Sequence, residues 1–474
     1  MNKKKLGRIF IAIILIYTVF TVGFYFLASD QIKYYEPKNS NVMEDADSIS
    51  TELNKNNSLK YDFINSFDRI QSINLVFSRM YHSTDGYITV VLYDKDEKKE
   101  FLRDSIDTNS IKENSKVNFK LNEIADNYKN QTLTLEIYST STPGSGVSAM
   151  INHKDANAKY QIGNRNFKGA VCFAIEGKNK SILNTLYWYI IGSVGLVIAG
   201  LFLRTYLKYN KGIVDYIASI FIAIEKYKFL ISQLVIRDFK SKYKRSVFGV
   251  FWSFLNPLLT MTVQFLVFST FFKADTNNYP IYLLCGVVCF SFFSECTSMC
   301  LTSISGNSRL ITKVYIPKYI FPLSRTISSA INLAISLVPL FLACLVLGLA
   351  IKPQAILFFY FLACLIIFSL GVGMFLSALM VFFRDIQFLW TVLIQIWNYA
   401  TPIFYPAEIV PDKYKFILRF NPLYHFIGNA RTCLMNGISP APMAYVYCFL
   451  FAFGSLAIGA YTFKKTQDRF ALYV

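Results

Sequence analysis

A single carboxylate, Glu295, stands inside an apolar run. Taking a carboxylate out of water is costly, so it marks either a working site or a hydrogen-bonded structural group, protonated in the interior. Upstream, Arg237, Lys240, Lys242, Lys244 and Arg245 crowd around Asp238. Beside them Phe229, Leu230, Leu234 and Phe239 recur at helical spacing, the pattern of an amphipathic helix lying at a membrane surface. The three histidines, at 82, 153 and 425, do not build a metal site or a Ser-His-Asp constellation, and no G-x-x-x-x-G-K-[ST] phosphate loop occurs. Cys285, Cys289, Cys296 and Cys300 share one helical face, a pattern that suits small-residue helix packing better than a metal relay. Phe254, Met261, Phe265, Phe268 and Phe272 form an aromatic stripe, which can face sugar rings or pack against neighbouring helices. Tyr81, His82, Tyr87, Tyr93 and Tyr138 offer rings with a polar tip, the side-chain type that meets both faces and hydroxyls of a sugar.

The elements that must position these groups follow from composition. Of 474 residues, 54% are hydrophobic and 17% aromatic, and the apolar residues fall into blocks long enough to cross a bilayer. The net charge of +18 is uneven: residues 29–181 hold 20 Lys/Arg and 21 Asp/Glu, whereas the remainder holds 28 and 9. The excess therefore flanks apolar blocks, as cytoplasmic ends of membrane helices do, and argues against nucleic-acid binding. Eight of the nine cysteines lie outside 29–181, so that segment, with Cys172 alone, closes no internal disulfide.

After MNKKKLGR comes an apolar run, Ile9 to Leu27. It is long for a signal peptide and lacks a small-residue cleavage site, so it reads as a membrane anchor, residues 1–28, starting in the cytoplasm. Residues 29–181 then alternate with period two: Ile88, Val90, Leu92; Leu133, Leu135, Ile137; Val171, Phe173, Ile175. Roughly eight short strands separated by turn clusters predict an extracytoplasmic β-sandwich of jelly-roll type. Residues 182–211 supply a second span and a basic cytoplasmic linker; the stretch 204–248 carries ten Lys/Arg against three acidic groups. Further apolar blocks at 249–272, 281–302, 323–350, 354–380, 388–404 and 441–463 bring the expected spans to about eight, with both termini cytoplasmic. Arg309, Lys313, Arg384 and Asp385 fall in the inside loops. Pro402, Pro406 and Pro411 interrupt the block at 388–404, and 405–440 reads as short helices dipping into the outer face.

The stretch 229–259 carries Tyr243, Lys244, Arg245 and Ser246, then Gly249, Trp252, Asn256 and Pro257. It resembles the start of the transmembrane domain in type-2 ABC exporter permeases, more narrowly those exporting O-antigen, teichoic acid and capsular polysaccharides. LITKVYIPKYIFPLS (310–324) and FFRDI (382–386) resemble the family's cytoplasmic loops; TPIFYP (401–406) and NPLYHFIGNARTCLMNG (421–437) resemble its outer re-entrant region. The resemblance covers 212–474, and residues 1–211 depart from the usual pattern.

The resemblance implies a homodimer around a channel, carrying a lipid-linked polysaccharide across the bacterial cytoplasmic membrane. A separate cytoplasmic ATPase subunit, in two copies, would hold the ATP and magnesium; this chain would hold no cofactor and perform no catalysis. It further implies that Arg237, Asp238, Lys242, Lys244, Arg245, Arg309, Lys313, Arg384 and Asp385 meet the ATPase. Trp252, Phe254, Phe265, Phe268, Phe272, Glu295, Trp397 and Tyr399 are then candidates for the substrate path. Apart from the resemblance, Tyr81, His82, Tyr87, Tyr93 and Tyr138 are candidate glycan contacts, the alternative being that residues 29–181 form a spacer or docking module. A membrane glycosyltransferase or ligase is the alternative from the enzyme class. It would want an acidic pair in an outer loop, where Asp275, Glu408 and Asp412 form none. A membrane-anchored glycan receptor would leave six further spans unexplained.

Overall fold

The computed structural model describes the chain apart from residues 1–2, 36–45, 80–84, 96–98, 112–114, 127, 154–157, 245, 273–277, 315 and 474. Tyr81, His82 and Arg245 therefore lie outside the described residues, as does the side chain of Phe272. The chain divides into two compact units, Met1–Gln31 with Ile190–Val474, and Ile32–Tyr189.

The second unit is a sandwich of two sheets in which every strand pair is antiparallel. One sheet has six strands: β1 (Leu59–Ile64), β3 (Tyr87–Asp94), β4 (Glu100–Asp107), β6 (Thr132–Ser139), β8 (Lys159–Ile162) and β9 (Arg165–Lys168). Their order across the sheet is β9-β8-β1-β6-β3-β4. The other sheet is built on β2 (Arg69–Arg79), β5 (Ser115–Asp126), β7 (Val147–Asn152) and β10 (Phe173–Lys180), with two-residue strands at its margins. All nine residues of the three alternating runs are buried, between 0% and 6% exposed, and so face the core between the sheets. Period-two geometry then forces their sequence neighbours to the outer face. The register sets those neighbours in rows: Gln161 opposes Lys60, Lys60 opposes Glu136, Glu136 opposes Val91, and Val91 opposes Arg103.

The first unit is helical. Seven helices among the described residues are long and apolar enough to cross a membrane. They include α1 (Lys3–Leu27), α2 (Ile182–Asn210), α4 (Phe251–Phe272), α5 (Tyr279–Leu301) and α6 (Ile320–Val346). The other two contain α7 (Phe358–Phe382) and α10 (Pro442–Thr466); α3 (Tyr216–Tyr243), between α2 and α4, carries the basic cluster. The block expected at 388–404 forms α8 (Ile386–Ala400), whose 15 residues reach only about 22 Å, short of a bilayer core. Pro402 follows at once and cannot donate to a continuing helix. Short helices succeed it, among them Lys415–Phe420 and α9 (Pro422–Arg431).

Helix α5 is the centre of the bundle, buried along most of its length, with all four of its cysteines inside. Helices α7 and α10 meet where Gly371 and Gly459 oppose each other; a Cβ at either would strike the other helix's backbone. Gly249, at φ +53°, makes the turn from α3 into α4, a conformation that strains any residue with a Cβ. On the other side, α1 packs along α2, with Phe10 stacked on Phe202 at 4.4 Å and the Tyr17 hydroxyl donating to the Ile191 carbonyl at 2.8 Å.

Candidate functional site

The polar face of α3 is not simply solvated. Asp238, with its side chain only 3% exposed, accepts from Arg237 and Arg325 through Oδ1, each at 3.0 Å. Arg325 comes from α6, so this carboxylate joins two helices. A guanidinium nitrogen of Arg237 also donates to Asn307 Oδ1 at 2.9 Å, and Asn307 in turn donates to the Ser303 carbonyl just past α5. Buried carboxylates persist only when paired and hydrogen-bonded, which explains why two arginines converge here.

One turn further, Lys242 Nζ lies 2.8 Å from Glu295 Oε1 on α5. The same oxygen accepts from Asn332 Nδ2 of α6 at 2.7 Å. The Tyr243 hydroxyl donates to Asn332 Oδ1 at 3.2 Å and also meets the Ser253 hydroxyl of α4. Ser336 of α6 closes the set by donating to the Ser253 carbonyl. Glu295 therefore has a lysine beside it, and a polar network ties α3 to α4, α5 and α6. Sequence reasoning picked out Arg237, Asp238, Lys242 and Glu295 but missed Arg325, Asn332 and Asn307. Isolated polar residues within apolar helices were the available signal for the first two.

The remaining basic candidates, Lys244, Arg309 and Lys313, are exposed, as are Arg384 and Asp385. Arg309 and Lys313 sit on the short helix Ser308–Lys313. Of the aromatic stripe, Phe265 and Phe268 are half-buried against the helical core, Phe268 stacking on Phe404 at 5.3 Å. Phe254 stacks on Phe251, while Trp252 and Tyr399 are exposed. Trp397 packs on Phe293 and donates to Asn421 Oδ1 at 2.9 Å.

The turn at 401–406 is held by groups that sequence reasoning did not select. Arg431, almost fully buried, donates to the Pro402, Ile403 and Tyr282 backbone carbonyls at 2.6, 3.0 and 3.1 Å. Its guanidinium lies 3.5 Å over the Tyr282 ring, beside Gly286, where any Cβ would collide with it. The Tyr279 and Tyr282 hydroxyls donate to carbonyls of the same turn. His425 Nε2 lies 2.8 Å from the Arg419 carbonyl, within this local structure.

In the sandwich, Tyr93 and Tyr138 come together in a groove of about 840 Å³ on the outer face of the six-stranded sheet. Tyr87, at the start of β3, is exposed and does not line it. Three ion pairs furnish the floor: Lys60–Glu136 at 3.2 Å, Lys95–Asp62 at 2.5 Å and Arg103–Glu100 at 2.7 Å. Arg103 also donates to the Tyr138 hydroxyl at 2.9 Å. Hydrogen bonds from Arg103 hold the Glu100 carboxyl below its ordinary range. Burial works to raise that of Asp62, but Lys95 and Thr134 together outweigh it and the carboxyl ends below its usual value.

The sequence profile described as "ABC-2 type transporter" matches residues 230–435, which span the polar network and the 401–406 turn. An O-antigen export system permease protein of Klebsiella pneumoniae is 30% identical over 240 residues, covering 50% of this chain and 91% of the relative. The chain belongs to the type-2 ABC polysaccharide-exporter permeases. Another O-antigen export permease, from Myxococcus xanthus, is 32% identical over 204 residues, 42% of this chain and 77% of the relative. A polysialic acid transport protein of Escherichia coli is 23% identical over 251 residues, 52% of this chain and 96% of the relative. In this type-2 permease the profile match leaves the whole sandwich outside it.

Proposed function

We propose that this chain is the membrane subunit of an ATP-driven exporter that moves a lipid-linked polysaccharide across the bacterial cytoplasmic membrane. Two copies form the path, and two copies of a separate cytoplasmic ATPase subunit bind ATP and magnesium. The relatives' roles in O-antigen export and polysialic acid transport support the substrate class. The observation that carries the coupling is the network from α3 to Glu295. A push on the cytoplasmic side of α3 reaches α5 and α6 through Lys242–Glu295 and Arg237–Asp238–Arg325, without crossing flexible loop. Lys244, Arg245, Arg309, Lys313, Arg384 and Asp385 complete the ATPase-facing surface in this reading. Trp252, Phe254, Phe265, Phe268, Phe272, Trp397 and Tyr399 belong to the helices that border the path between the two copies. Both termini are cytoplasmic, with α8 and the 401–406 turn together making the eighth crossing, and residues 29–181 lie on the side to which the polymer is delivered, where they bind it.

Co-purification of the chain with its ATPase subunit tests the reading. Lys313→Glu and Arg237→Glu are expected to weaken ATPase association or its stimulation, Arg237→Glu more strongly because it also breaks the Asp238 pair. Unchanged assembly, ATPase stimulation and export in both variants would overturn the coupling assignment.

A further inference from the structure

We propose that the outer face of the six-stranded sheet is a groove for an uncharged, hydroxyl-rich glycan, engaged along the chain rather than at an end. The proposal rests on the reading above that the sandwich meets the exported glycan, and it names the place and the chemistry.

Charge favours a neutral ligand. Seven ionisable cations and anions line the groove: Lys60, Lys95, Arg103 and Lys159 with Asp62, Glu100 and Glu136. Three ion pairs already compensate six of them. A polyanion would have to pull cations from partners at 2.5 to 3.2 Å while lying against three carboxylates. A neutral polyol faces no such conflict. Its hydroxyls can donate to carboxylate oxygens and accept from lysine and arginine N–H groups.

Shape favours a chain of sugars over a single one. The row Gln161, Lys60, Glu136, Val91, Arg103 crosses five adjacent strands. Four inter-strand steps make it roughly 19 Å long, several sugar residues rather than one. Beside it runs the row Asp62, Thr134, Tyr93, Glu100. Polar fork and carboxylate groups thus repeat across the sheet, with two tyrosine rings set among them. Arg103 pins the Tyr138 hydroxyl while itself gripping Glu100 through two hydrogen bonds, so the ring is held before a ligand arrives. Such preorganisation lowers the ordering cost of binding.

The full chain in lipid nanodiscs provides the test. The probe is the surface polysaccharide of the source cells, freed of lipid and split on anion-exchange resin into neutral and anionic fractions. Calorimetric titration is expected to show saturable, salt-insensitive binding of the neutral fraction only. Tyr93→Ala, Tyr138→Ala and Arg103→Ala should each weaken it at least about tenfold, whereas Tyr138→Phe, which keeps the ring, should lose less. Neutral binding untouched by these variants would overturn the groove and leave the broader glycan reading intact. Binding of the anionic fraction alone would overturn the chemistry assigned here and again leave that reading intact. No binding of either fraction by the folded chain would overturn both.

Discussion

Asp238 and Glu100 are both carboxylates gripped by arginine, yet their surroundings give them opposite roles. Asp238 is 3% exposed and shared between two guanidinium groups from different helices. Glu100 is 40% exposed and paired with an arginine three residues away on the same strand. The buried pair is expensive to form and more expensive to break, so it fixes how α3 sits on α6. The open pair contributes little to stability and keeps hydrogen-bonding capacity facing solvent, which a ligand can use. One pairing chemistry thus makes a joint inside the helical unit and an open, hydrogen-bonding surface on the sandwich.

The largest effect is expected from Asp238→Ala. It leaves Arg325 facing a buried hole, and removing one member of a buried pair typically costs about 3–5 kcal/mol. The lower end is expected, because Arg237 is half-exposed. A large drop in melting temperature and in folded yield is the predicted readout; near wild-type stability would mean that the joint is not structural.

A middle-sized effect is expected between Lys242 and Glu295. Both side chains are 31–40% exposed, so solvent screening reduces their attraction. Their coupling, measured by a double-mutant cycle with Lys242→Met and Glu295→Gln, should be about 0.5–1.5 kcal/mol in thermal unfolding. The same variants should uncouple ATP hydrolysis from export. Additivity in both measurements would remove the pair from the proposed coupling route.

The smallest stability effect belongs to the groove. Arg103→Ala should leave the unfolding transition close to that of the parent chain, since both partners are open to water. Its acid response gives a second check. The folded-state pKa values of Glu100 and Asp62 are depressed. Their contribution to stability is therefore complete above the ordinary carboxylate range and is lost as pH falls through the depressed folded values. Hydrogen-exchange protection in β1, β3 and β6 should stay level down to about pH 5 and decline only below the ordinary carboxylate range. A decline near neutrality would point to a different titrating group.

The sequence made some of this legible and hid the rest, for reasons that particular residues show. Ile88, Val90 and Leu92 announce a strand because burial on one face imposes period two. Nothing local says that β6 lies between β1 and β3, so the gathering of Tyr93, Glu136 and Lys60 could not be read in advance. Glu295 stood out as a charge in an apolar run, but its partner Lys242 lies 53 residues away and its other partner, Asn332, a further helix along. Arg431 was within a quoted motif, yet its role as a clamp on the 401–406 turn depends on Gly286, a residue with no chemistry of its own. The block 388–404 had the composition of a span, and the proline that follows limits it to 15 helical residues.

The contact between Gly371 and Gly459 has a mechanical meaning. With no side chain to act as a cushion, α7 and α10 touch backbone to backbone, and neither can slide or roll far without a collision. The pair behaves as one stiff beam. At one end of that beam Val381, Phe463 and Phe470 share an apolar cluster with Leu234 of α3. A lever pressing on α3 therefore bears against something that does not yield, and the displacement must be taken up elsewhere. Helix α4 is little buried and follows the turn at Gly249, which makes it a candidate to take up that displacement, with Gly249 as its pivot.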